Sequence, residues 1–209
     1  MLIAFSGTDC SGKSTQIKNL CNSLKGKPLV RWSRVGYTPL FNVLKDLIIR
    51  RNKKSFSIHK SRDIVLKNTF FSTLWIYISI LDLLLFYSIY IRLLNFLGFA
   101  IILDRYVLDS QIDLQVNFPQ FKIEKSLLWR FIERLSPKPS FHFLLICSPQ
   151  STIMRSKLKN EPFPDSNNVI FYRYKIYHNF IGDNNLIFFN TSEYTAESIS
   201  LHIQSHFSN

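Results

Sequence analysis

The chain has 209 residues, 46% of them hydrophobic, which fits one domain with a sizeable core and excludes a disordered polypeptide. Its net charge of +12 implies an anionic partner, with nucleotide phosphates first and a polyanion or acidic lipid surface as the alternatives, unless the excess lysine serves solubility alone. Three cysteines (Cys10, Cys21 and Cys147) without C-x-x-C spacing argue against a disulfide framework or a zinc site and suit a reducing cytoplasm.

The first predicted element is a short buried strand, Leu2-Ile3-Ala4-Phe5, with none of the basic start and long apolar stretch of a signal peptide. Gly7-Thr8-Asp9-Cys10-Ser11-Gly12-Lys13-Ser14-Thr15 follows, which reads G-x-x-x-x-G-K-S, the phosphate-cradling P-loop. Ile17, Leu20, Cys21 and Leu24 then recur at helical spacing, so the loop leaves a strand and enters a helix as the motif requires. Gly7 and Gly12 permit backbone angles that turn the loop N–H groups inward around phosphate oxygens, and the helix N-terminus adds unpaired donors. Lys13 supplies a full charge for the outer phosphates of ATP, and the Ser14 hydroxyl is a ligand for Mg²⁺.

Leu29 to Trp32 reads as a second strand, residues 34–39 as a turn, and residues 40–49 and 57–71 as helices. The basic run Arg50-Arg51-Asn52-Lys53-Lys54 is too short to specify nucleic-acid binding and reads as a solvated helix end. Between Lys67 and Arg92 the only charged residue is Asp82. That stretch is long enough to span a bilayer, but an Asp at its centre costs roughly 2.5–3.5 kcal/mol there. It also precedes a strand that must join the P-loop sheet, so it is expected to be a buried helix closed by Gly98, with membrane-surface contact or a span as alternatives.

Phe99 to Asp104 is a strong apolar strand ending in a carboxylate, and Val107 to Asn117 and Glu124 to Leu135 read as helices. Phe141 to Ile146 is the next strand, and Pro149 starts a helix. Lys157 to Asn168 is polar and reads as a mobile loop, within a lid segment placed at residues 155–168. Val169 to Phe180 reads as a helix, Leu186 to Asn190 as the last strand, and Thr191-Ser192-Glu193 as the start of a final helix through Ile199 and Ile203. Strands alternating with helices predict an α/β fold: one domain over 1–209, a P-loop three-layer sandwich with a parallel five-stranded sheet flanked by helices. Ligands are expected at the carboxyl ends of the strands, where Gly7 and Asp104 lie. Asp104 beside a P-loop is Walker-B-like, placed to hold Mg²⁺ or orient an acceptor oxygen, and Arg105 points toward phosphate charge.

Together these segments resemble the thymidylate kinase family of nucleoside monophosphate kinases across nearly the whole chain. The P-loop resembles that family's opening, and residues 34–39 resemble its R-E-P-G-G-T turn with one residue fewer. Asp104-Arg105-Tyr106 with Ser110 resembles its D-R-Y-x-x-S signature, and Asn190-Thr191-Ser192 its terminal D-A-S segment near adenine. The resemblance implies that Lys13, Ser14 and Thr15 hold ATP phosphates and Mg²⁺, and that Asp9 approaches the acceptor's sugar hydroxyl. It implies that Arg34 and Arg105 clamp the acceptor phosphate and the transferring group. Cys10 stands where some members carry an arginine, a charge that Arg155, Lys157 and Lys159 would supply from the lid.

Two departures bear on the acceptor. The family's F-A-x-x-R helix, whose arginine grips the monophosphate, is here Phe86-Tyr87-Ser88-Ile89-Tyr90, and a tyrosine cannot neutralise a phosphate dianion. The family's A-Y-Q stretch is here Ile112-Asp113-Leu114-Gln115, and Asp82, Asp109 and Asp113 are expected either to face the acceptor, where they suit sugar hydroxyls, or to be helix-surface or capping carboxylates. The implied activity is Mg²⁺- and ATP-dependent transfer to dTMP, giving dTDP, in a homodimer. The alternatives are a different acceptor, such as a sugar or glycan intermediate, and an ATP-gated protein that binds a polyanion or a membrane surface. Specific nucleic-acid binding is not expected.

Overall fold

Strand β1 (Leu2–Gly7) is buried along its whole length, because sheet neighbours flank it on both edges and helices cover both faces. The computed structural model describes residues 1–24, 26–35, 69–160 and 165–207; residues 36–39 of the turn predicted at 34–39, the helix at 40–49, the basic run at 50–54, residues 57–68 of the helix predicted at 57–71 and residues 161–164 of the lid segment lie outside them. With β2 (Leu29–Trp32), β3 (Ile101–Asp104), β4 (Phe141–Ile146) and β5 (Ile187–Asn190), β1 forms a parallel sheet in the order β2-β3-β1-β4-β5. The register sets Phe5 opposite Asp104 and Trp32 opposite Asp104, so the P-loop and the Asp104 carboxylate leave the same edge of the sheet.

Alternation along the strands divides the core into two layers. Ile3, Phe5, Ile102, Phe143 and Leu145 face α1 (Lys13–Ser23) and the last helix. Leu2, Ala4, Ile101 and Leu103 face α2 (Thr69–Leu85) and its neighbours, where Ile76, Ile80, Leu83, Tyr87 and Ile91 are buried. The apolar segment is therefore a core helix on one side. It is long and apolar enough by composition to cross a bilayer, and its other side exposes Leu74, Tyr77 and Leu81.

The segment is not one regular α-helix. Residues Phe86–Ile91 widen into a π-helical turn before α3 (Arg92–Phe96). This altered register sends the buried Tyr87 hydroxyl to Ser33 Oγ, 2.5 Å away just past β2, and lets Tyr90 Oη accept a 2.9 Å bond from Arg31 Nε. Gly98 closes the helix with φ +83°: its N–H bonds Asn95 O and that of Phe99 bonds Leu94 O, a Schellman ending that a side chain would strain.

Helix α4 (Val107–Asn117) keeps its predicted bounds. The helix expected over 124–135 is instead a 3₁₀ turn, Ile123–Lys125, followed by α5 (Leu127–Leu135), because Ser126 is extended and breaks the run. Helix α6 (Pro149–Leu158) holds Arg155 and Lys157, which were expected in the lid or its mobile loop. Helix α7 (Asn167–His178) begins two residues before its predicted start. The final helix, α8 (Ala196–Ser205), begins after Thr191-Ser192-Glu193, which forms a turn; the Thr195 side chain accepts the capping bond from Ser198 N.

Candidate active site

The P-loop runs from the end of β1 to the first turn of α1 over backbone that only small residues allow. At Gly7, φ is +140° and a Cβ would lie 1.8 Å from Leu145 O, so any side chain would collide with β4. Gly12 at φ +85° opens α1, and Cys10 also takes a left-handed conformation at φ +56°. Thr8 ties the loop to β4 through Thr8 N to Leu145 O at 3.2 Å and Cys147 N to Thr8 Oγ1 at 2.9 Å. Lys13 Nζ spans the loop, donating to Gly7 O at 2.8 Å and Thr8 O at 2.6 Å. Burial pushes its pKa down, as does the nearby Arg105 charge, so this ammonium is less hydrated than a surface lysine and more available to an incoming anion.

Arg105 follows β3 at φ +77°, an uncommon angle for a residue with a side chain, and one that clusters at functional sites. Its N–H bonds Phe5 O, and its guanidinium pairs with Asp9 and stands 3.8 Å from Asp109. Asp9 is held well below the usual carboxylate range by Arg105, Lys13 and Arg173, which together outweigh the effect of its burial, the largest single influence. Burial pushes the neighbouring Asp104 carboxyl upward, against the lowering effect of Lys13 and Arg105. On the other side of the loop, Arg155 donates to Cys10 O at 3.2 Å and Thr191 O at 2.8 Å, so it bridges the P-loop and the turn after β5.

These groups line one cavity of about 870 Å³, a volume suited to a nucleotide together with an acceptor. Thr8, Asp9, Cys10, Ser11, Gly12, Lys13, Ser14, Thr15, Arg34, Asp104, Arg105, Arg155 and Thr191 all reach its wall. Gly7 does not line the cavity; it ends β1, where its N–H donates to Asp109 Oδ1 at 3.0 Å. Gln16 Oε1 and Thr152 Oγ1, on two further wall residues, are buried without a hydrogen-bond partner, which suits a wall that meets a polar ligand.

Five residues predicted for the acceptor, Tyr90, Asp82, Ser110, Asp113 and Asp109, do not reach this wall. Tyr90 is turned to Arg31 by the π-helical register. Asp82 is buried within α2. Ser110 is buried in α4 beside the Tyr87 phenol. Asp113 lies one layer back, where its carboxylate accepts a 3.0 Å bond from Arg34 Nε and pairs with Arg173.

Arg173 and Asp165, paired at 2.7 Å, line the cavity and went unread in the sequence, because no local motif marks an arginine within an aromatic helix. Asp109 is a buried cap rather than a wall residue: at the third position of α4 its carboxylate accepts from Tyr106 N and closes a capping box. It is 1% exposed beneath the P-loop and accepts from Ser6 Oγ at 2.5 Å, Gly7 N at 3.0 Å, Tyr106 N at 2.9 Å and Tyr177 Oη at 2.7 Å.

Ser6 gives its only hydroxyl proton to Asp109, so His142 Nε2, 2.8 Å from Ser6 Oγ, carries the ring proton and donates. Burial holds the His142 pKa down at about 4. The native state therefore refuses a proton that the unfolded chain takes up below about pH 6.5, and stability falls as pH drops from 6.5 toward 4. Urea midpoints measured across that window should show this acid slope in the wild type, and His142→Asn should flatten it.

No protein-family model matches the sequence, and no curated protein does either. Solved structures match over the full length. Deoxyadenosine kinase from M. mycoides with bound dATP aligns at TM-score 0.61 and 16% identity, covering all of both chains. The same enzyme with dCTP aligns at 0.58 and 20%, again covering all of both. Thymidylate kinase from Ehrlichia chaffeensis aligns at 0.57 and 16%, covering all of this chain and 98% of that one. The chain shares the fold of these kinases: a five-stranded parallel sheet flanked by helices, with the G-x-x-x-x-G-K-S loop at its carboxyl edge. At these identities the likeness reaches the fold and not the acceptor.

Proposed function

We propose that this chain is an ATP- and Mg²⁺-dependent phosphotransferase of the nucleoside and nucleotide kinase type. The observation that carries this reading is the convergence of Lys13, Ser14, Asp104, Arg105 and Arg155 on one cavity at the carboxyl edge of β1 and β3. In it, the loop N–H groups and Lys13 hold the β- and γ-phosphates, while Arg105 and Arg155 face the charge that spreads over the transferring group. Asp104 orients the acceptor hydroxyl or the metal. Ser14 Oγ and the Asp104 carboxylate are hard oxygen donors on the same wall, and they fit a cation that keeps most of its water and phosphate ligands. When bound, Mg²⁺ supplies neutralisation of phosphate charge. Closure of the segment at 155–168 would exclude water that otherwise hydrolyses ATP.

The thymidylate kinase resemblance makes dTMP, giving dTDP, one acceptor. A second acceptor reading, a nucleoside, sugar or glycan intermediate, is favoured by Tyr90, which replaces the family's phosphate-gripping arginine and is bonded to Arg31. The homodimer implied by the same resemblance, or a peripheral membrane contact, would cover the exposed apolar stripe of Leu74, Tyr77 and Leu81 on α2 with Leu127 and Phe131 on α5. Incubation with radiolabelled ATP, Mg²⁺ and a panel of nucleosides, nucleoside monophosphates and sugars should move label to an acceptor, and chelation of Mg²⁺ should stop the transfer. Folded protein that binds no ATP and labels none of the panel would overturn the reading.

A further inference from the structure

Among the described residues the acceptor end of the cavity holds three guanidinium groups, those of Arg34, Arg105 and Arg173, and each is paired with a carboxylate. Arg34 Nε bonds Asp113 Oδ2 at 3.0 Å. Arg173 gives one edge to Asp113 and its Nε to Asp165 at 2.7 Å. Arg105 pairs with Asp9 and lies 3.8 Å from Asp109. With Asp104 on the same wall, five carboxylates face three guanidiniums among the described residues.

A phosphate monoester entering here would meet arginines whose charge is already matched by carboxylates, and a full bidentate grip on Arg34 and Arg173 would require Asp113 to give way. Asp113 is 4% exposed and Asp109 1%, so neither has water to turn to. Asp113 receives its two charge-assisted bonds from Arg34 and Arg173; losing both would leave a buried, uncompensated charge, which is far more costly than leaving the network intact. A neutral hydroxyl compound meets no such conflict, because Asp9 and Asp104 on the wall are acceptors for its O–H groups.

Resting on the kinase reading above, we propose that the phosphoryl acceptor is an uncharged polyol, a nucleoside or a sugar, and that Asp113 sets this preference by occupying Arg34 and Arg173. The acceptor hydroxyl oxygen forms a bond to the γ-phosphorus of ATP, the bond from that phosphorus to the β–γ bridging oxygen breaks, ADP leaves, and the hydroxyl proton passes to Asp104 or solvent. Asp113 is a positioning residue, since it acts through the two arginines.

The test uses the full chain with radiolabelled ATP and Mg²⁺ on paired acceptors: thymidine with dTMP, deoxyadenosine with dAMP, and free hexoses with hexose phosphates. In whichever pair reacts, kcat/KM for the unphosphorylated member should exceed that of its monophosphate by at least about tenfold, the equivalent of roughly 1.4 kcal/mol. The nucleoside and sugar arms tell the two sources apart. Asp113→Asn frees both arginines and should tighten dTMP binding by about tenfold in calorimetry, as expected where one desolvated charge is removed, while Asp113→Glu retains the discrimination. A preference for the monophosphate overturns the proposal. So does a folded Asp113→Asn protein with unchanged dTMP affinity, or the absence of any labelled acceptor although ATP binds. Failure to bind ATP at all would instead remove the kinase reading, and this inference with it.

Discussion

Lys13→Ala should lower kcat for phosphoryl transfer by about 10²–10³-fold or more, the loss seen when one preorganised charge-stabilising group is removed from an active site. Lys13 Nζ already spans the P-loop, bonded to Gly7 O and Thr8 O, so no reorganisation is needed when a triphosphate arrives. Alanine removes the charge and leaves those carbonyl oxygens facing the space where phosphate must sit. Arg155 contacts this loop through Cys10 O, away from the two carbonyl oxygens that Lys13 holds, so full compensation is not expected. The pH profile gives an independent check. Because burial and Arg105 lower the Lys13 pKa from its usual 10.5, the alkaline limb of activity should begin below that value and be absent from the alanine variant's residual rate. Normal turnover in folded Lys13→Ala would remove the mechanism.

Asp109→Ala should destabilise the fold by about 3–5 kcal/mol, the range for breaking a buried charge pair from one side. Asp109 gathers the base of the P-loop through Gly7 N and Ser6 Oγ, the start of α4 through Tyr106 N, and α7 through Tyr177 Oη, with Arg105 at 3.8 Å. Alanine leaves all of these donors inside the core without an acceptor. A loss of that size is a large share of the 5–15 kcal/mol that typically holds a domain together, so the urea midpoint should fall steeply. Asp109→Asn keeps the shape but offers one acceptor oxygen where the carboxylate offers two; its amide N–H groups would meet other donors, and it should recover only part of the loss. ATP affinity should weaken in parallel, because Gly7 loses the bond that fixes the first turn of the loop. A midpoint within about 1 kcal/mol of wild type would show that this hub does not hold the loop, since surface-like substitutions stay inside that range.

Local chemistry explains why some parts were legible and others were not. The P-loop could be read because its backbone angles, its lysine reach and its helix start all lie within nine consecutive residues, Gly7 to Thr15. Asp104 could be read because a carboxylate at the end of a buried strand has one place to go. Asp109 and Asp113 lie on the same short helix as Ser110, and nothing in their spacing tells a loop-anchoring carboxylate from an acceptor ligand. Their roles depend on Arg34, Arg173 and Tyr177, whose elements arrive from 60 to 79 residues away. Tyr90 was misplaced because its position assumed a regular helix, and the π-helical turn at Phe86–Ile91 rotates it toward Arg31.

The amino-acid order alone determined the alternation of strands and helices, the phosphate loop and the acidic strand end beside it, since each of these follows from periodicity and backbone freedom within a few residues. Only the folded chain decided which carboxylates neutralise which arginines, and therefore what charge is left over at that end of the cavity. Coulombic pairing depends on distance in space, and burial in a core assembled from distant segments sets its strength.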